Sequence, residues 1–281
     1  MLIALGSDKG SPGVTTLAAV LGLVWNGACA VTELDSRGAD LPLRLTRAGG
    51  GPLLAAPSVV GLALAARDGF TAPAIERYVQ DSEVGIPVVA GELSALVNAR
   101  IAGHLPGLAT TANAWHGTLI ADLGNLHATN PAMVVARAAA AVVLVVRPTM
   151  EGLAHLRESI GALTEQVGDP RRDRSPVGVV VVAESSQRRP AIGRTRQLLD
   201  SIGSAAPVVG AFAYDPPAAA ALWSGPMTKK LSKSALVQSG HALAAQLLTL
   251  WPELSPLPSP YPQGTSGLAT NAEPMPTEVL P

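Results

Sequence analysis

The sequence predicts an α/β fold, a doubly wound and mostly parallel sheet with helices on both faces. Three observations point to it. Short runs of Val, Leu, Ile and Ala without alternation recur along the chain, the mark of strands buried on both sides. Longer stretches of helical character separate them, so the order alternates strand and helix. Hydrophobic residues make up 48% of the 281 residues but aromatics only 3%, so the core is built from small aliphatic side chains that let helices lie close on a sheet.

The first strand is 2–5, Leu-Ile-Ala-Leu, followed by a glycine-bearing turn and an almost wholly apolar helix over 16–25. Residues 28–34 form a second strand that closes at Asp35, and Ser36-Arg37-Gly38 then breaks the pattern ahead of a polar connection over 41–51. A helix is expected over 58–67 with Ser58 as N-cap. A shorter one over 73–78 carries Pro73 in its first turn, where proline is tolerated. A strand over 86–91 and a helical stretch over 94–112 follow, the latter broken or kinked by Pro106.

Strand 118–122 ends in Asp122 and is followed by Leu123-Gly124-Asn125. The strongest strand signal is 140–146, closed by Arg147-Pro148, with a helix from Glu151 to about Val167 behind it. After the charged loop 169–174 come strand 177–182, helix 192–202, strand 208–213, a helix opened by Asp215-Pro216-Pro217, and a final helix over 234–250. Beyond these, Pro, Ser, Gly and Thr recur with no apolar period. The chain therefore divides into one domain over 1–251 and a Pro-rich disordered tail over 252–281.

A net charge of −1 leaves no global field to attract nucleic acid or acidic membrane. The single cysteine, Cys29, excludes an internal disulfide and reads as a small buried residue. The first apolar run is interrupted at Ser7-Asp8-Lys9, unlike a signal peptide, and no run reaches the roughly 18 residues of a membrane span. A cytoplasmic protein is expected. The five histidines share no metal-ligand spacing, and His155 and His241 read as helix-surface residues.

In doubly wound sheets ligands bind beyond the carboxyl ends of the strands. Chemistry-bearing residues cluster at those ends: the turn after the first strand, Asp35 after the second, Asp122 after the fourth, Asp215 after the last. In the turn, Gly10 and Gly13 let the backbone curl toward an anion at a helix N-terminus, and Thr15 offers a hydroxyl to Mg²⁺. Asp122 is of the type that holds magnesium through water, while Asp35, with Glu33 two residues earlier on the same strand face, is placed to orient an attacking water.

The spacing Lys-Gly-x-x-Gly-x-Thr-Thr over Lys9, Gly10, Ser11, Pro12, Gly13, Val14, Thr15 and Thr16 resembles the deviant Walker A loop of the ParA/MinD family of P-loop ATPases. That family's pattern is Lys-Gly-Gly-x-Gly-Lys-Thr-Thr, and the resemblance extends over residues 1–250. It implies ATP and Mg²⁺ as cofactors. Lys9 matches the signature lysine that reaches the partner subunit's nucleotide in a sandwich homodimer, which makes Lys9 and Asp35 the catalytic candidates. Thr15 and Thr16 match the magnesium- and phosphate-binding hydroxyls, and Thr15, Asp35 and Asp122 make up the implied metal site. The run from Val145 through Thr149 with Glu151-Gly152, and Asp215-Pro216 as part of the nucleotide site, are similar to actinobacterial members. Those members often carry the same Lys-Gly-Ser-Pro-Gly-Val-Thr-Thr loop and are associated with partition-like or pilus and secretion functions.

Three positions depart from the pattern. Val14 stands where the family has its phosphate-binding lysine, Asp8 replaces the first Walker A glycine, and Ala183-Glu184 stands where many relatives place an adenine-reading Asn. A lysine on the β- and γ-phosphates makes charge-assisted bonds worth ~1.5–3 kcal/mol each. Its loss weakens nucleotide binding on the order of tenfold to a hundredfold and slows hydrolysis further. Two functions follow: an ATP-dependent spatial organiser with slow turnover, or a degenerate scaffold of the same fold, a pseudo-ATPase.

Arg171, Arg172 and Arg174, with Arg188, Arg189, Arg194 and Arg196, offer a non-specific DNA surface as one reading and a solvated face as the other. The near-zero net charge favours the second. Lys229, Lys230 and Lys233 flank the final helix as in membrane-lying helices, but that helix has no Lys or Arg of its own, so packing on the sheet is preferred.

Overall fold

The computed structural model describes residues 1–10, 12–67, 72–127, 129–168 and 176–255, with backbone alone for 67 and 72–74. Ser11, the loop arginines Arg171, Arg172 and Arg174, and the disorder expected of 256–281 lie outside the described residues.

The chain runs β1 (Leu2–Ser7), α1 (Val14–Val24), β2 (Cys29–Glu33), α2 (Leu41–Arg44), α3 (Val59–Arg67), β3 (Gln80–Asp81), β4 (Pro87–Val89), α4 (Ala95–Ile101) and α5 (Leu105–Ala114). It continues through β5 (Thr118–Asn125), α6 (Met133–Ala138), β6 (Ala141–Val146), α7 (Met150–Val167), β7 (Val177–Ala183) and α8 (Arg188–Ser201). The last elements are β8 (Val208–Ala213), α9 (Pro216–Trp223), α10 (Lys229–Ser232) and α11 (Ala235–Leu250).

The strands form one sheet in the order β3-β4-β2-β5-β1-β6-β7-β8, parallel except where β3 meets β4. Alternate residues of each strand enter opposite layers, as the pleat requires. Leu2 and Ala4 of β1 join the layer under α3, α5, α6, α7 and α8, and Ile3 and Leu5 join the layer under α1, α9 and α11. Helix α11 buries Leu236, Val237, Leu243 and Leu247 against β8 and α1, so its apolar face is consumed by the sheet. A Cβ at Gly240 would stand 2.3 Å from Val20 Cγ1, which is why α1 and α11 can cross so closely. Among the described residues no helix is long and apolar enough to cross a membrane.

From β1 the chain passes through α1 to β2 on one side, and from β6 it passes through α7 to β7 on the other. The two connections diverge, opening a crevice at the carboxyl ends of β1 and β6, the switch point of a doubly wound sheet.

Several elements differ from expectation for local reasons. The connection over 41–51 contains α2, whose Leu41 is fully buried and whose Pro42 sits in the first turn. The stretch 94–112 is broken near Pro106 as expected, a 3₁₀ turn over Ala102–His104 separating α4 from α5, which holds Pro106 in its first turn. Helix α8 begins at Arg188, four residues before the expected 192, because Arg188-Arg189-Pro190 places proline in a first turn. The short β3, α6 and α10 lie outside the expected pattern. Beyond 251, Pro252–Leu254 forms a 3₁₀ turn whose Leu254 is 0% exposed, so domain packing continues through Leu254.

Candidate functional site

β1 ends at Ser7 and the loop that follows turns on two glycines, with φ of 78° at Gly10 and 111° at Gly13. Side chains with a Cβ avoid this left-handed region, and at both positions a Cβ would meet nothing within 4 Å, so the loop backbone borders open space. Gly13 is also the N-cap of α1, and no side chain caps that end. The first N–H groups of α1 thus have neither helical acceptors nor a capping oxygen, the condition that favours an anion there. Asn125, at the end of β5, ties the loop down by donating from Nδ2 to the Asp8 carbonyl at 2.9 Å.

The first residue of α1, Val14, is 6% exposed and packs among the apolar side chains of its layer. Next to it Thr15 Oγ1 donates to Asp122 Oδ2 at 2.6 Å. Asp122 is not at the end of its strand, because β5 runs on to Asn125. Its other oxygen accepts from the Gly124 N–H at 2.9 Å. In register with Asp122 across the sheet stands Glu33, equally buried, whose Oε2 accepts from the Leu41 N–H at 2.6 Å. That bond draws the start of α2 onto β2.

Two carboxyls side by side in a buried sheet resist ionisation. Burial, then the charge of Asp122, pushes the Glu33 carboxyl up to about 8, against the pull of the Leu41 and Asp40 N–H groups. Burial likewise pushes Asp122 up to about 6, opposed by the Thr15 hydroxyl and the Gly124 N–H and aided by Asp35 and Asp40.

Asp35 lies past the end of β2 and does not share a strand face with Glu33. Its carboxylate is held by Arg37, at 2.8 Å between Oδ2 and the guanidinium, and rests against the backbone of Gly124. With φ of 65°, Gly124 leaves room that a Cβ would take, since it would fall 2.1 Å from Asp35 Oδ2. Asp40 pairs with Arg44, which lies over the Trp223 ring at 5.5 Å.

These groups enclose a polar cavity of about 530 Å³ lined by Gly10, Gly13, Val14, Thr15 and Thr16 from the loop and helix. Its other walls include Glu33, Asp35, Asp122, Arg37, Arg44 and Arg147. A second cavity, of about 440 Å³, opens beside it and is lined by Asp8, Lys9, Pro12, Thr149 and His155 among others. Arg147 borders both, its guanidinium 4.9 Å above the Tyr214 ring. In the second cavity His155 Nδ1 approaches Asp8 Oδ2 at 3.6 Å.

The structure thus gathers Gly10, Gly13, Val14, Thr15, Thr16, Asp35 and Asp122 around the larger cavity, and places Lys9 and Pro12 on the smaller. Asp215 and Pro216 line neither; Asp215 caps α9 by accepting from the Ala218 N–H at 3.2 Å. Ser11 is among the undescribed positions. Sequence reasoning missed Arg37, Asp40, Arg44, Gly124 and Asn125 as site residues, and met Arg147 as a strand terminator and as part of the family-like run 145–149, without a role in the site. For Gly124 and Arg147 the signal was their place just beyond a strand core; for Asp40 and Arg44 there was none.

Among the described residues no three His, Cys, Asp or Glu side chains converge as a metal cage. The site instead has the donor set of a magnesium ion that keeps its waters and shares substrate phosphates: a hydroxyl and a carboxylate side by side at an uncapped helix start. Thr15 and Asp122 fit that ion, and the loop fits a phosphate chain, but the loop supplies no cation where Val14 stands.

No family model matches the sequence, and no curated protein matches it. Solved structures do. The chain is similar to a ParA family ATPase from Chlorobium tepidum at 16% identity and a TM-score of 0.65, covering 87% of this chain and 98% of that one. It is similar to the septum site-determining protein MinD of Pyrococcus horikoshii, complexed with Mg-ADP, at 16% identity and a TM-score of 0.63, covering 91% and 99%. An apo McdA from Cyanthece matches at 16% identity and a TM-score of 0.60, covering 88% and 98%.

Proposed function

The fold is that of the ParA/MinD P-loop ATPases, and from it we propose that this chain binds Mg-ATP in the larger cavity and acts as an ATP-dependent spatial organiser with slow hydrolysis. The process served is partition, positioning, or pilus or secretion assembly, through a protein partner and a homodimer. One observation carries the reading: Thr15 and Asp122 meet at 2.6 Å beside a helix start that no side chain caps. The Mg-ADP held by the similar Pyrococcus protein supports the same assignment.

In this reading the Gly10 to Thr16 backbone binds the phosphates, and Thr15 and Asp122 hold the magnesium, which neutralises phosphate charge. Asp35, now held by Arg37, orients water. Lys9, exposed on the smaller cavity, faces the second copy of a dimer.

A second reading is favoured by Val14, which puts an apolar side chain where a phosphate cation is needed, among the carboxylates Glu33, Asp35, Asp40 and Asp122. It makes the chain a scaffold that does not hydrolyse ATP. Calorimetric titration with millimolar Mg-ATP separates the two, with Lys9→Ala as control. Saturable binding accompanied by dimer formation, both lost in Lys9→Ala, is expected of the organiser. Absence of heat and of any dimer shift would exclude it.

A further inference from the structure

We propose that Arg147 supplies the positive charge that the loop lacks and binds the phosphate end of the nucleotide in the larger cavity, where Val14 leaves no cation. The inference rests on the nucleotide reading above and assigns a residue outside the loop to it.

The charges around the cavity lead to this residue. Glu33, Asp35, Asp40 and Asp122 line it against Arg37, Arg44 and Arg147, so the question for an incoming polyphosphate is which of these cations is left unpaired by a carboxylate. Val14 is buried in the apolar layer. Arg37 is occupied by Asp35 at 2.8 Å, and Arg44 is occupied by Asp40 while its guanidinium lies over the Trp223 ring. Lys9 lines the smaller cavity and not the larger. Arg147 borders the larger cavity and, among the described residues, forms no ion pair with a carboxylate.

Its position follows from the sheet. β6 lies beside β1 with Leu144 in register with Gly6, so the chain beyond Leu144 emerges next to the loop that follows Gly6. Arg147 lies in the short link between β6 and α7, outside both strand and helix. The guanidinium carbon lies over the Tyr214 ring, 4.9 Å from its centroid. A cation–π contact of this kind orders the group without tying its N–H donors to a carboxylate, so they remain for an anion. A planar fork of this kind pairs with phosphate oxygens in bidentate fashion, which a lysine at position 14 would not do.

The test is calorimetric titration of the full chain with Mg-ATP and, separately, with inorganic triphosphate, which has no base or sugar. Wild type, Arg147→Ala, Arg147→Lys and Arg147→Ala/Val14→Lys are compared, with thermal melting of each nucleotide-free variant to establish that it folds. Arg147→Ala should weaken both probes about tenfold to a hundredfold. Arg147→Lys should recover part of the loss, and Val14→Lys in the Arg147→Ala background should restore binding, because its stem can follow the buried valine and lift the ammonium into the cavity. Wild-type binding that Arg147→Ala leaves unchanged would overturn the role of Arg147 and leave the nucleotide reading standing. Loss of ATP binding with triphosphate binding intact would overturn it also, by placing Arg147 away from the phosphates. A wild type that binds neither probe would overturn both readings together.

Discussion

Thr15 and Asp122, 107 positions apart in the chain, meet at 2.6 Å, hydroxyl to carboxylate, at the junction of α1 and β5. The bond satisfies a carboxylate that is otherwise sealed in the sheet, and it aligns two magnesium-type donors. Thr15→Val keeps the shape and removes the donor. It should lower the stability of the metal-free protein at pH 8 by about 1–3 kcal/mol, since a buried acceptor is left short of a partner. Urea denaturation measures this, and an unchanged midpoint would contradict the structural role given to the pair.

Stability of the metal-free protein should fall as pH rises. Glu33 is raised from 4.5 to about 8 and Asp122 from 3.8 to about 6, both by burial first. Groups with raised values hold more protons folded than unfolded, so the loss runs from about pH 4 to about pH 8. Its size is on the order of a few kcal/mol. Glu33→Gln should flatten most of the slope between pH 5 and pH 8 in urea titrations; a slope that survives the substitution would point to other groups.

Gly124→Ala tests the packing of Asp35. The new methyl would stand 2.1 Å from Asp35 Oδ2 at a backbone φ of 65°. Strain of that kind costs about 1–3 kcal/mol and must also displace the carboxylate. A lowered melting temperature is expected, and melting like wild type would show that Asp35 does not lie where it is placed.

If Asp35 orients water, Asp35→Asn should leave Mg-ATP affinity near that of wild type and cut turnover by on the order of tenfold or more. Phosphate release assays at saturating nucleotide read the second effect and calorimetry the first. Weakened binding with unaltered turnover per bound nucleotide would assign Asp35 to holding ligand instead.

Much of the fold was legible because burial on two faces leaves a plain record. Runs such as Ala-Val-Val-Leu-Val-Val over Ala141–Val146 admit little but a central strand. Helix α2 was not legible: Leu-Pro-Leu-Arg has no periodicity, and it forms because Glu33, eight residues earlier, takes the Leu41 N–H. Of the site, the glycine loop, Thr15 and Asp122 were readable from spacing. The ion pairs that occupy Arg37 and Arg44 were not, since nothing in a linear charge pattern says which carboxylate folds back on which arginine.

The sequence by itself determined the layered sheet, its strand-end crevice and the glycine loop with Val14 at the start of α1, because these depend on local periodicity and on glycine and proline placement. Only the tertiary structure decided which charges face the cavity. It buried Glu33 beside Asp122, parked Asp35 on Arg37, moved Lys9 to the neighbouring cavity and brought Arg147 from β6 to the wall. The physical reason is that charge interactions act through space and burial, and the order of strands in the sheet, not the order of residues in the chain, sets both.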